Sequence, residues 1–152
     1  MVVYLFNFNT CQDLALLEIG DQQCSPLYAF GPNIRNEYIF HYVVSGKGVV
    51  MLQPSGEKGQ NILSETIEVK AGEGFLIEPH TAHMYRADEN DPWHYIWIVF
   101  TGLSVPSYLR ACGLTRNNPV FYPQSYAPPV SSRVRGPLRP LLRHPDTSNT
   151  LL

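Results

Sequence analysis

Charge is scarce in this 152-residue chain: 16% of its residues are charged and the net charge is −2. Broad electrostatic capture of nucleic acid or of an anionic membrane draws on clustered Lys and Arg, so this composition argues against both. The body, residues 1–123, is acidic, and the basic surplus sits at the end, in Arg133, Arg135, Arg139 and Arg143. Cysteine is sparse too. Cys11, Cys24 and Cys112 are odd in number and form no CxxC pair, which favours free thiols in a reducing compartment over a disulfide framework. Cytoplasm is therefore the expected location. No apolar run approaches the roughly 20 residues of a membrane-spanning helix, and the start, MVVYLFNFNT, lacks the basic and long apolar regions of a secretory signal. There is no GxSxG, no GxxxxGK with a following Ser or Thr, and no HExxH, so triad, phosphate-loop and zincin chemistry lack their local geometry.

What the chain has is rings and strands: 12% of it is aromatic, with 9 Tyr and 7 Phe. Its length fits one domain with a sizeable core. Up to Phe100 nothing has helical period. Leu14 to Gly20 reads as a strand ending at a Gly20-Asp21-Gln22 turn, after a loose start. Leu27 to Phe30, between Pro26 and Pro32, reads as an edge strand. EYIFHYVV (37–44) turns through Ser45-Gly46-Lys47-Gly48 into Val49 to Leu52, which predicts a hairpin. Pro54 to Gln60 is a loop; Thr66 to Lys70 and Phe75 to Ile77 are strands joined at Ala71-Gly72-Glu73-Gly74. Many short strands with glycine turns predict an all-β protein with a closed or sandwiched antiparallel sheet. A short helix follows, with Ser104 as cap, Pro106 in the first turn and Gly113 as stop. From residue 123 six prolines and scattered arginines predict a non-globular tail, residues 123–152, beside a domain at 1–122. Removing residues 124–152 should leave that domain folded.

The organising stretch is EPHTAHMYRADENDPWHYIWIVF, Glu78 to Phe100, in which two aromatic-rich strands flank a polar loop, Ala87 to Pro92. Alternation puts Thr81, His83 and Tyr85 on one face, and Trp93, Tyr95 and Trp97 on another. The reading is a hairpin with one face of rings.

Phe40-His41-Tyr42-Val43-Val44-Ser45-Gly46-Lys47-Gly48, then Ala71 to Pro79, His83 to Ala87 and Pro92 to Trp97 form an ordered set of blocks, with Cys24, Gly31-Pro32 and Arg35 upstream. Together they resemble the amino-terminal sensor domain of AraC-family transcription regulators, over about residues 14–122. The resemblance implies a cupin-like antiparallel β-barrel, of the double-stranded β-helix or jelly-roll kind, that binds a small effector, often a sugar, and dimerises. In the family, paired helix-turn-helix units follow and bind DNA; here the sequence turns proline-rich instead. DNA contact is thus expected only through a carboxy-terminal domain that this chain lacks, and the chain reads as a truncated form or as a product that lost that domain.

The metal-binding pattern of cupin enzymes, laid on this chain, finds a ligand at His83 but Ile39, Asn33 and Arg35 at the other three positions. No metal or other cofactor is expected, and no catalytic residue is assigned. The inward rings suit a carbohydrate, whose C–H face packs on aromatics while sparse polar groups take its hydroxyls. Tyr85, Trp93 and Trp97 are the candidate walls; Arg35, His41 and His83 are the candidate polar contacts. Each also has a plain structural reading: the rings as barrel core, His41 as a satisfied core histidine, Arg35 as a surface charge. The expected function is small-molecule sensing with homodimerisation. The rivals are a small metal-dependent cupin enzyme using His41 and His83, and an orphan fragment that pairs with a full-length regulator.

Overall fold

The aromatic and β-branched runs become strands, but the corners between them become crossings from one sheet to another. The computed structural model describes residues 1–6, 13–53 and 65–123. In chain order the strands are β1 (Val2–Leu5), β2 (Ala15–Gln23), β3 (Ala29–Asn33), β4 (Tyr38–Ser45), β5 (Lys47–Gln53), β6 (Glu65–Lys70), β7 (Gly74–Ile77), β8 (Ala82–Ala87) and β9 (His94–Thr101). Helix α1 (Val105–Ala111) and a short β10 (Val120–Phe121) follow. One sheet has the order β1-β2-β9-β4-β7-β10 and the other β3-β8-β5-β6, with antiparallel pairing throughout. The expected loop at Pro54–Gln60, Cys11 and the tail from residue 124 lie outside the described residues.

The hairpin expected at Glu78–Phe100 is not formed. β8 pairs with β3 and β5 in one sheet, and β9 pairs with β2 and β4 in the other. The 88–93 loop carries the chain across the core, held by the Asp88 carboxylate, which accepts the Asn90 and Asp91 backbone N–H groups at 2.9 and 3.0 Å. The β4 to β5 corner crosses in the same way, so it is no hairpin either. One residue, Gly46, separates the two strands, too few for the two-residue turn of a tight hairpin. At φ +71° its missing side chain lets the chain pass against the Pro92 carbonyl, which a Cβ would approach to 2.5 Å. The β6 to β7 corner likewise joins strands of different sheets.

Alternation then fills two layers. Ile39, Val43, Val50, Val69, Phe75, Ile77, Tyr85, Trp93, Tyr95 and Val99 meet between the sheets. On the outer face of the larger sheet Leu76 and Phe100 pack with Val105 and Leu114, bordered by Tyr38, Phe40, Ile98 and Leu109. Each such aliphatic or phenyl side chain, fully buried, contributes roughly 1.5–3 kcal/mol. Helix α1 exists to cover that second apolar face. It starts at Ser104 and has Pro at the start, as expected, but the Ser104 side chain makes no cap hydrogen bond; its hydroxyl lies 3.5 Å from Asp13 Oδ1 instead.

Three further expectations are corrected. Gly20-Asp21-Gln22 is not a turn: β2 runs through it to Gln23, because Gly20 lies directly opposite Trp97 in the ladder and its lack of a side chain seats the indole. The chain start is not loose, since Val2–Leu5 adds to the edge of β2. The edge strand expected at Leu27–Phe30 begins two residues later, after Leu27 takes a positive φ of 58°, and runs on through Pro32. An edge position tolerates that proline's missing donor. Among the described residues no helix is long and apolar enough to cross a membrane.

Candidate ligand-binding site

Because β8 and β9 face each other across the core, the inward residues of both converge on one cavity of about 320 Å³. It lies at the small end of ligand pockets, which span roughly 300–1,000 Å³. Arg35, His41, His83, Tyr85 and Trp97 all line it, so five of the six residues singled out from sequence are brought together. Trp93 is not among the lining residues. It is fully buried, stacked on Phe75 at 6.0 Å, and it fills the space that Gly48 leaves open.

The walls are aromatic. Phe30 stacks on Tyr85 with centroids 5.1 Å apart, and Tyr95 leans on Trp97 at 5.7 Å. His41, on β4, stacks flat on Phe75 at 4.5 Å and presents its edge to Tyr85 and Tyr95, each at 5.1 Å. The polar groups are few and placed by backbone. Arg35 precedes β4, and its carbonyl accepts the His80 N–H at 2.7 Å. The turn at 78–81 continues into β8, where His83 Nδ1 donates to the Thr81 carbonyl at 3.0 Å.

Sequence reasoning missed Glu18 and Gln22, both on β2. One Glu18 oxygen accepts the Trp97 indole N–H at 2.6 Å and the other accepts Arg35 Nη1 at 3.2 Å. Gln22 accepts the Tyr95 hydroxyl at 3.4 Å. The signal was present: continued past Gly20, the strand puts positions 18, 20 and 22 on one face by parity. The misread turn concealed it.

Electrostatically the site is held neutral. Burial, then His83 and Arg35, push the His41 pKa down to about 3. Burial also lowers that of His83, against the opposing effect of its bond to Thr81. Burial raises the phenol pKa values of Tyr85 and Tyr95, so both stay protonated. Two ring nitrogens, His41 Nδ1 and His83 Nε2, are buried without a protein partner, and leaving such a group unpaired costs roughly 1–3 kcal/mol. Among the described residues no three His, Cys, Asp or Glu side chains group to hold a metal ion.

The lowered His41 pKa gives a signed prediction. An unfolded histidine titrates near ~6.5, so above that pH neither state binds the proton and His41 adds no pH dependence. As pH falls from 6.5 towards 3 the unfolded chain takes up a proton that the buried ring refuses, and stability is lost at about 1.4 kcal/mol per pH unit. Urea unfolding should show a loss of about 2 kcal/mol between pH 6.5 and pH 5 from His41 alone. The loss should shrink in His41→Gln; an unchanged loss would assign it to another group.

Residues 18–151 match the AraC-like ligand binding domain. The chain is 32% identical over 102 residues to the Msm operon regulatory protein of Streptococcus mutans, a span of 67% of this chain and 33% of that protein. It is also 32% identical over 96 residues to the raffinose operon transcriptional regulatory protein of Pediococcus pentosaceus, 62% of this chain and 31% of that one. The chain thus spans about a third of the length of these curated relatives. Among solved structures, the protein YhaK from Escherichia coli aligns with a TM-score of 0.55 at 12% identity, covering 78% of this chain and 48% of that one. At that identity the likeness is one of fold alone.

Proposed function

Because the chain belongs to the family of AraC-like ligand-binding domains, we propose that it is the effector-sensing part of a transcription regulator, with a carbohydrate bound between its sheets. The observation that carries this reading is the pair of unpartnered imidazole nitrogens, His41 Nδ1 and His83 Nε2, in an aromatic-walled cavity. A sugar answers both features: its C–H face packs on Trp97 and Tyr85, and its hydroxyls satisfy the two rings and the free N–H groups of Arg35. A purely apolar ligand would leave the nitrogens unpaired. The raffinose operon regulator among the relatives supports the same substrate class.

A panel of neutral sugars that includes raffinose, read by thermal shift, tests the proposal. At a hundredfold excess over Kd a ligand of the native state adds about 2.7 kcal/mol, a rise in melting temperature on the order of 5–10 °C for a domain of this size. A panel in which no sugar moves the transition would overturn it. We extend the reading to a cytoplasmic homodimer, with DNA contact only through a carboxy-terminal helix-turn-helix domain that lies outside these 152 residues, as the family resemblance implies; sedimentation velocity tests the dimer. The enzyme reading is tested by elemental analysis. Stoichiometric iron, manganese or zinc, lost in both His41→Ala and His83→Ala, would replace the sensor with a metal-dependent enzyme.

A further inference from the structure

The charge of the ligand can be read from hydrogen-bond direction. A carbonyl oxygen has only lone pairs, so the nitrogen 3.0 Å from the Thr81 carbonyl, His83 Nδ1, must carry the ring proton. In the neutral ring Nε2 is then left with a lone pair, and that atom is buried and without a protein partner. It accepts a hydrogen bond and has none to give.

The rest of the cavity offers an anion hydrogen-bond donors but no unpaired counter-ion. Among the described residues the charged side chains lining it are Arg35 and Glu18, and these pair with each other. Glu18 also presents its carboxylate to the same space, with one oxygen on the Trp97 indole. The Met1 end of β1 reaches the rim but is largely exposed, so solvent screens its amino charge. The aromatic faces add the negative side of their quadrupoles. We propose that this cavity selects uncharged ligands that donate hydroxyl hydrogens and rejects sugar acids and sugar phosphates, with His83 setting the selection. The inference rests on the carbohydrate reading above and narrows it.

A hydroxyl places its hydrogen on His83 Nε2 and leaves its own lone pairs for Arg35. A carboxylate or phosphate oxygen in the same position sets lone pair against lone pair, and its charge loses water without gaining a counter-ion.

The test uses the full chain and two measurements. Calorimetric titration compares galactose, glucose and raffinose with galacturonate, glucuronate and galactose 6-phosphate, with choline as a cationic probe of the ring faces. A neutral sugar should bind at least about tenfold more tightly than its acid or phosphate, and the ratio should fall towards one in His83→Gln, whose amide can turn a donor to the ligand. An acid or phosphate binding as tightly as its neutral parent overturns the selection while leaving the sugar reading in place. Choline binding alone, or no binding by any probe, overturns both. Nitrogen-15 spectra of the free protein, with His83 identified by its loss in His83→Gln, should show the proton on Nδ1. A proton on Nε2 overturns the inference without any ligand.

Discussion

Truncating Trp97 to alanine is expected to abolish carbohydrate binding and to lower stability by about 3 kcal/mol, the low end for removing a buried ring of this size. The low end applies because Trp97 borders a cavity and retains 9% of its exposure, so less packing is lost than in closed core. Binding fails for two reasons. The ring is one of the apolar walls, and its N–H, at 2.6 Å from Glu18, helps hold the carboxylate that in turn holds Arg35. Trp93→Ala separates wall from core. Trp93 is fully buried and off the cavity, so it should cost on the order of 3–5 kcal/mol while the fraction that stays folded still binds. Equilibrium unfolding with calorimetric titration of both variants checks the pair. Normal binding by Trp97→Ala would make that ring a piece of core.

These two tryptophans also show how far the sequence could be read. Parity alone sends Thr81, His83 and Tyr85 inward, and Trp93, Tyr95 and Trp97 inward, and all six are buried. What parity lacks is the partner. A polar loop between two strands looks the same whether it closes a hairpin or spans two sheets, because each strand's alternation reports only which of its own faces is buried. The convergence of Tyr85 and Trp97 therefore arises from sheets facing each other, and not from the pairing inferred for them. Trp93 separates from Trp97 for a related reason: Trp93 lies just before β9, and four residues of extended chain span about 13 Å, enough to put one ring at the cavity and one behind it. Glu18 and Gln22 were concealed by Gly20, which resembles a turn residue until the ring opposite it is known. The same ambiguity hid β1 and β10, whose four and two residues are too short to show a period.

Gly20→Ala is expected to be the most damaging single-methyl change in β2, and to act on binding through a residue that need not touch the ligand. Gly20 and Trp97 are direct cross-strand partners, and a Cβ at Gly20 would lie 2.0 Å from the indole Cζ2. Neither backbone can yield cheaply, since β2 is held between β1 and β9, and β9 between β2 and β4. The ring must therefore swing off the strand towards the one side with room, the cavity, and it loses its bond to Glu18 on the way. Overpacking of this kind costs about 1–3 kcal/mol, and the displaced ring should reduce carbohydrate affinity by at least about tenfold, since a misplaced wall removes contact area and obstructs the ligand together. Backbone strain is not the cause, because Gly20 is not among the glycines with positive φ. That makes the mechanism separable by a double-mutant cycle with Trp97→Leu, which removes the fused ring that the new methyl would strike. The double variant should be more stable than the sum of the two single losses, by 0.5 kcal/mol or more, roughly the scale of coupling between touching residues. Strict additivity would show that Gly20 is needed for some reason other than the indole above it.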